Sequence, residues 1–478
     1  MTSNVTSPLE ANHIHFVGIK GVGMTALALC AKDLGIKITG SDVEEVFVTD
    51  STLTNHGLTW LKGFSAENLN PKPDLVIFTG AHGGFNNPEV VEAQKLGIPT
   101  MSHAQALGEF AKGKELITVG GVGGKTTIAS MVSTMLSTTG KHPSFAVGVG
   151  DIKALGTPGR YDKEGKYFVT EADEFAISHG IDNRPRFTFQ NPKVLILPNL
   201  EHDHPDIYPN FEDTKRVFLE FINRVPADGL LVACIDNANV RELVKNTKVP
   251  VQTYGFSEDA DCKITSVEIE NQIANTTLLH RGVEHKFSLN VPGRFNVLNA
   301  TTSIVACSFL DLTQEELKKG IESYTGCQRR IEKVRELDGI TYYDDYAHHP
   351  TEIHAVLSAL RDWYPDRPIV AIFQPHTYSR TKVLFEEFSK SFGNANKVAI
   401  MDIYASAREE KDPTVNSQKL VEETKKYHND VHFTGGHETT IEFLTKNTQK
   451  GDVVVTIGAG DIFHIWDELT NKHLNNDQ

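Results

Sequence analysis

The sequence contains no run approaching the ~18 consecutive apolar residues that a membrane-spanning helix requires, so no segment is expected to cross a bilayer as a helix. Cysteine is scarce: five residues, Cys30, Cys234, Cys262, Cys307 and Cys327. An odd, scattered set without Cys-x-x-Cys spacing fits neither a disulfide framework nor a cysteine metal site, and these thiols are expected to be buried as small hydrophobes. Positive charge is in deficit, with 47 Lys and Arg against 62 Asp and Glu and a net charge of -15. No basic patch offsets it, so neither nucleic acid nor an anionic membrane is an expected partner. Residues 1–13 lack a basic segment followed by an apolar stretch, which argues against a secretory signal and for a cytoplasmic location. Internal repeats and low-complexity tracts are also missing, and nothing in the sequence sets an oligomeric state.

What is present is length and rhythm. A chain of 478 residues exceeds what one core usually organises, so several domains are expected. Short β-rich runs alternate with helical stretches from His13 onward, the pattern of an α/β protein with parallel sheets covered by helices. Strands are predicted at residues 15–17, 36–39 and 75–78 in a first Rossmann-like domain, 1–112. A central domain, 113–324, opens on a strand at 116–119, continues through 193–197 and carries an alternating stretch, 262–289, that predicts antiparallel strands. The rhythm restarts in a third Rossmann-like domain, 325–478, with strands at 368–373, 397–401 and 452–457.

The strongest chemical signal is Gly121-Val122-Gly123-Gly124-Lys125-Thr126-Thr127 between a strand and a helix. That order exposes backbone N–H groups and a helix N-terminus to phosphate. Lys125 would meet the outer phosphates of ATP, and the Thr126 hydroxyl would suit Mg2+, a hard ion that takes oxygen ligands. Only the shorter Gly-x-x-Gly-Lys-Thr form fits, because Val119 stands where a full Walker pattern has glycine. A second glycine pattern, Gly18-Ile19-Lys20-Gly21-Val22-Gly23-Met24, has Asp42 about 20 residues on, as dinucleotide folds place a ribose-binding acid. On its own it admits a nicotinamide cofactor, another diphosphate ligand or a structural turn. Two further clusters, Glu171-Ala172-Asp173-Glu174 and the stretch from Asn199 through Glu201-His202-Asp203-His204-Pro205-Asp206 to Ile207, follow predicted strands, where ligands gather in parallel sheets. Their carboxylates and imidazoles suit a cation beside a phosphate loop, although acidic loops of this kind also simply face water.

These pieces, with Gly40-Ser41-Asp42, Asn87-Pro88-Glu89, Gly293-Arg294-Phe295-Asn296 and Asn299, Gln328-Arg329-Arg330, Asp345-Tyr346-Ala347-His348-His349-Pro350, Gln374-Pro375-His376-Thr377 through Arg380, and Gly458-Ala459-Gly460-Asp461, come in one order along the chain. In that order the chain resembles the Mur ligases of bacterial peptidoglycan synthesis over essentially its whole length. The resemblance implies a first domain that binds a UDP-sugar through Gly21, Gly23, Met24 and Asp42, and a central domain that binds ATP. ATP contacts would come from Gly121, Gly124, Lys125, Thr126, Thr127, Asn296, Asn299, Arg330 and Asp345, and magnesium contacts from Thr126, Glu171 and His204. The third domain would take the acceptor through His348 and Arg380, with Lys125, His348 and Arg380 carrying catalysis. It further implies UDP-N-acetylmuramate and L-alanine as substrates joined through an acyl phosphate, with addition of a whole tripeptide as the alternative. The chain departs from the family pattern at Val122-Gly123, where Thr-His is usual, and at Phe295, where His is usual. Its 199–207 segment looks closer to the tripeptide-adding members.

Overall fold

The computed structural model describes residues 7–204, 207–405 and 409–469 of the chain, so Pro205 and Asp206 of the acidic segment lie outside the described residues. The chain divides into two compact units: Met1–Glu268, Asn275–Leu289 and Phe295–Gln328 form one, and Ile269–Ala274, Asn290–Arg294 and Arg329–Gln478 the other.

Among the described residues, the first unit carries two large sheets and a two-stranded antiparallel ribbon, Ala176–Ser178 with Asp182–Pro185. One has five strands in the order Leu61–Lys62, Lys37–Asp42, His13–Val17, Leu75–Phe78, Thr100–Ser102, all paired parallel. The central strand His13–Val17 is buried along its whole length, as a parallel sheet covered on both faces requires. The strand expected at 36–39 runs on to Asp42. Gly40 within it lets the neighbouring turn pack close: a Cβ there would lie 2.8 Å from Ile19 Cδ1 and 2.9 Å from the Phe16 carbonyl oxygen.

The other sheet has ten strands, with Glu115–Val119 flanked by Val194–Leu197 and Tyr167–Glu171 in parallel register. The alternating stretch becomes three strands, Cys262–Glu270, Ile273–His280 and Val283–Leu289. Two-residue turns join them, with left-handed φ at Asn271 (50°), Gln272 (62°), Arg281 (53°) and Gly282 (77°), the geometry that matches strand twist in tight hairpins. The two large sheets of this unit meet through the helix Val22–Asp33. Its Cys30 thiol donates to the Phe145 carbonyl at 3.4 Å, and a Cβ on Gly159 would fall 2.1 Å from the Ala26 carbonyl oxygen.

The second unit is built on six strands in the order Glu332–Leu337, Ile340–Asp345, Val453–Ile457, Ile369–Phe373, Lys397–Met401, Val431–Gly435. Its first pairing is antiparallel and the rest are parallel. All five cysteines are buried, and none is joined in a disulfide. Among the described residues, no helix is long and apolar enough to cross a membrane.

Candidate active site

Ligand-facing groups of an open parallel sheet collect at the carboxyl ends of its strands, and the central sheet follows that rule. Strand Glu115–Val119 ends in the glycine loop, which enters the helix Lys125–Thr138. Gly124 takes the N-cap position with φ 85° and no side-chain cap, so no capping side chain takes up the first-turn amides. Gly121 is also left-handed, at φ 93°, and a Cβ on it would lie 2.4 Å from the Asn199 carbonyl oxygen. Any larger residue there would displace the loop.

Side chains from the ends of the neighbouring strands surround this turn. Lys125 Nζ donates to the Gly121 carbonyl at 2.6 Å and to Glu174 Oε2 at 2.8 Å. Burial, the largest influence on the Lys125 ammonium, lowers its pKa, but the charges of Glu174 and Asp173 outweigh it and hold the group above its ordinary value. Lys125 is therefore a fixed cation. Thr126 Oγ1 donates to Glu171 Oε2 at 2.9 Å, and Glu171 Oε1 accepts from the Gly148 N–H at 2.7 Å. His204 lies against Glu174 and Asp203, its Nε2 3.8 and 3.6 Å from their carboxylates. One ligand atom from each of Glu174, Asp203 and His204 falls within 4.8 Å of the others. Thr126 and Glu171 thus form one group and His204 joins another, both rich in the oxygen donors that a hard divalent cation prefers.

Asn296 and Asn299 are buried on the helix Arg294–Phe309. Asn299 Nδ2 donates to Asn296 Oδ1 at 3.0 Å, and a Cβ on Gly124 would come 2.9 Å from Asn299 Oδ1. The pair therefore stands at the mouth of the phosphate loop. Asn199 makes a contact that sequence reasoning overlooked: its Oδ1 accepts from the Val122 and Gly123 N–H groups at 2.9 and 2.8 Å, and its Nδ2 donates to the Gly123 carbonyl at 2.9 Å. The available signal was its place, two residues past the strand Val194–Leu197. Glu174 was visible only as one acid among several, without its pairing to Lys125.

In the first sheet, the helix Val22–Asp33 starts at Gly21, again without a side-chain cap. A Cβ on Gly23 would collide with His103 Nε2 at 2.6 Å, and Met24 is buried. Burial, and then the charge of Arg186, push His103 down to about 4. Asp42 has no exposed surface; its Oδ2 accepts from the Lys20 N–H at 2.7 Å and its Oδ1 from the Val43 N–H at 2.8 Å. Its carboxylate therefore braces the glycine loop from beneath.

Arg330, Asp345, His348 and Arg380 fall in the second unit. Asp345 ends a buried strand and accepts from the Ile331 and Ala347 N–H groups at 2.6 and 2.7 Å. Burial raises its carboxyl to about 6, against the pull of the Arg330 charge. The Arg330 guanidinium lies 5.4 Å from the Tyr346 ring centre. His348 Nδ1 sits 3.0 Å from the Tyr346 carbonyl oxygen; a carbonyl only accepts, so Nδ1 carries the hydrogen and Nε2 keeps its lone pair. Burial lowers the His348 pKa, with the Arg380 and Arg330 charges acting the same way against Glu352. His349 caps the helix Pro350–Trp363 in a reciprocal box with Glu352. Arg380 Nη1 stands 3.4 Å from His376 Nδ1, within the helix Tyr378–Val383, whose N-cap Thr377 has φ 68°. A β-branched residue rarely takes that conformation.

Known proteins resemble this chain along nearly its whole length. Sequence profiles of three families match the chain in succession: the Mur ligase family catalytic domain at 13–115, the Mur ligase middle domain at 119–307, and the Mur ligase glutamate ligase domain at 329–460. The chain is 38% identical over 466 residues to the UDP-N-acetylmuramate–L-alanine ligase of Acetivibrio thermocellus, covering 97% of this chain and 96% of the relative. It is 37% identical over 465 residues to the enzyme of that name from Geotalea daltonii, covering 97% and 98%. The crystal structure of UDP-N-acetylmuramate-alanine ligase from Thermotoga maritima superposes with a TM-score of 0.82 at 25% identity, over 97% of this chain and 99% of the other. A murein peptide ligase from Psychrobacter arcticus shares the fold with a TM-score of 0.69 at 23% identity, over 96% and 98%. With consecutive matches along the chain and a phosphate loop built as described, the protein belongs to the Mur ligase family.

Proposed function

We propose that this protein is an ATP-dependent ligase that joins L-alanine to the lactyl carboxylate of UDP-N-acetylmuramate in the cytoplasm of a bacterium. Residues 1–112 hold the UDP-sugar, 113–324 hold ATP and 325–478 receive the amino acid. The observation that carries the reading is the Lys125 ammonium, held cationic over a glycine loop with Thr126 and Glu171 beside it.

A free carboxylate resists nucleophiles because of its charge, so it must first gain a leaving group. The lactyl carboxylate oxygen attacks the γ-phosphorus of ATP, the bond to ADP breaks, and an acyl phosphate forms. The alanine nitrogen then attacks the acyl carbon, inorganic phosphate departs, and the nitrogen loses a proton. Lys125 and Arg330 neutralise charge on the transferring phosphoryl group. Thr126, Glu171 and His204 would hold magnesium, which when bound supplies further positive charge to the phosphoryl oxygens. Asn296 and Asn299 face the adenine side of the ATP site, and Asp345 orders the Arg330 turn. His348, neutral with Nε2 unprotonated, is placed to take the amine proton, whereas His349 is committed to its helix cap. Arg380 grips the acceptor carboxylate. Gly21, Gly23 and Met24 offer the first helix to the UDP diphosphate, with Asp42 bracing their loop.

Addition of the alanyl-glutamyl-diaminopimelate tripeptide is the second reading, favoured by the 199–207 segment. The Gln374-Pro375-His376-Thr377 segment and the L-alanine-adding relatives favour the first. The deciding experiment incubates the protein with ATP, magnesium and UDP-N-acetylmuramate, offers L-alanine or the tripeptide, and measures ADP. Faster release with L-alanine is expected. Faster release with the tripeptide would overturn the substrate, and no release with either would overturn the ligase.

A further inference from the structure

The phosphate loop of this chain presents an unusual problem of rigidity. Residues 120–124 are four glycines and one valine, so no side chain within the turn supplies a hydrogen bond to hold it. Glycine gives up more backbone freedom on ordering than any other residue, and an unheld loop would meet that cost each time a triphosphate bound. From the observed contacts we infer that Asn199 is the positioning residue of this loop, clamping it in its phosphate-binding shape before ATP arrives.

The geometry is specific to an amide. Asn199 Oδ1 accepts from two successive N–H groups, Val122 and Gly123 at 2.9 and 2.8 Å, while Nδ2 donates to the Gly123 carbonyl at 2.9 Å. Both peptides flanking residue 123 are therefore tied to one side chain, and the Asn199 backbone sits under Gly121, where a Cβ would lie 2.4 Å from its carbonyl oxygen. Asn and Gln carry an acceptor and a donor on the same carbon of one planar amide, and Gln is one methylene too long for this spacing. The same stretch of chain leads on to Asp203 and His204, so the clamp also ties the loop to the second oxygen-rich group, beside Glu174. Asn199 acts through the loop, so its effect falls on ATP and not on the UDP-sugar.

This inference rests on the phosphate-loop reading, and the test separates the two. Asn199→Ala, Asn199→Asp and Lys125→Ala are compared with wild type for kcat, for the Michaelis constants of ATP and of UDP-N-acetylmuramate, for thermal stability and for amide hydrogen exchange at Val122 and Gly123. Asn199→Ala should raise the ATP Michaelis constant about tenfold or more, the scale of one or two lost hydrogen bonds. It should also speed exchange at both amides and leave the UDP-sugar constant within about twofold of wild type, the range that counts here as no change. Asn199→Asp keeps the acceptor but sets a carboxylate oxygen against the Gly123 carbonyl and adds negative charge beside the triphosphate, so it should be worse than alanine. An ATP constant and exchange rates like wild type in Asn199→Ala, wild-type behaviour of Asn199→Asp, or a deficit confined to thermal stability would each overturn the clamp. Retained turnover in Lys125→Ala would instead overturn the phosphate-loop reading itself.

Discussion

Lys125 carries the buried positive charge of the proposed site. Its ammonium is tied to Glu174, which is only 3% exposed, and to the loop carbonyl of Gly121, so the cation is fixed at the glycine loop, where the proposed phosphoryl transfer calls for positive charge. Lys125→Ala should cut turnover by more than ~100-fold, as for loss of one preorganised stabilising group. It should also lower thermal stability, because Glu174 would remain buried without its cation; turnover above a tenth of wild type at saturating ATP would sink the assignment. Arg380 makes the contrasting case, since its partner is the His376 ring and its proposed work lies with the acceptor. A guanidinium grips a carboxylate by two parallel hydrogen bonds that an ammonium cannot reproduce. Arg380→Lys should therefore raise the L-alanine Michaelis constant although the charge is kept, and an unchanged constant would mean that Arg380 only decorates the surface. His103 adds a pH signature. Its folded pKa, lowered by burial to about 4, lies below the value near 6.5 of an unfolded histidine, so the unfolded chain binds the extra proton first. Its contribution is complete above pH ~6.5 and is lost as pH falls toward ~4. Denaturant titrations should show wild-type stability falling more steeply across that window than His103→Gln.

At the scale of elements, the turns were harder to read than the strands. Buried β-rich runs such as Leu75–Phe78 and Lys397–Met401 match the residues expected from the sequence alone, because burial on both faces of a parallel sheet leaves an unbroken apolar signature. The loop chemistry was legible only as residue types. Glycine at 121 and 124 signalled a phosphate loop, but the reason each is obligatory, left-handed φ with Asn199 or Asn299 packed against the position of a Cβ, depends on partners more than 70 residues away. Asp42 was read as a ribose contact from its spacing, and its two hydrogen bonds to backbone N–H groups appear only once the turn is folded. Gly124→Ala tests this level. A Cβ at φ 85° costs about 1–2 kcal/mol and meets Asn299 Oδ1 at 2.9 Å. The helix should survive by circular dichroism while ATP binding measured by calorimetry weakens at least tenfold; unchanged binding would show that the loop tolerates a side chain at the helix entrance.

For the whole molecule, the α/β class was legible because alternation of strand and helix repeats along the chain. The way the sheets group was not. The five-stranded and ten-stranded sheets share one unit because small residues let the helix Val22–Asp33 approach the strands Ser144–Ala146 and Gly159–Arg160, and such fit leaves no periodic trace in the sequence. Cys30 lies on that seam, fully buried, its thiol pushed up by burial and directed at the Phe145 carbonyl. It is therefore a native reporter group. In the closed molecule a thiol reagent finds neither a path nor a thiolate, so the rate of Cys30 modification, followed by peptide mass spectrometry, clocks how often the two sheets part. That rate should be slow, should rise with mild denaturant before the other four thiols respond, and should fall when UDP-N-acetylmuramate is present; simultaneous reaction of all five thiols would mean that the seam opens only when the whole unit unfolds.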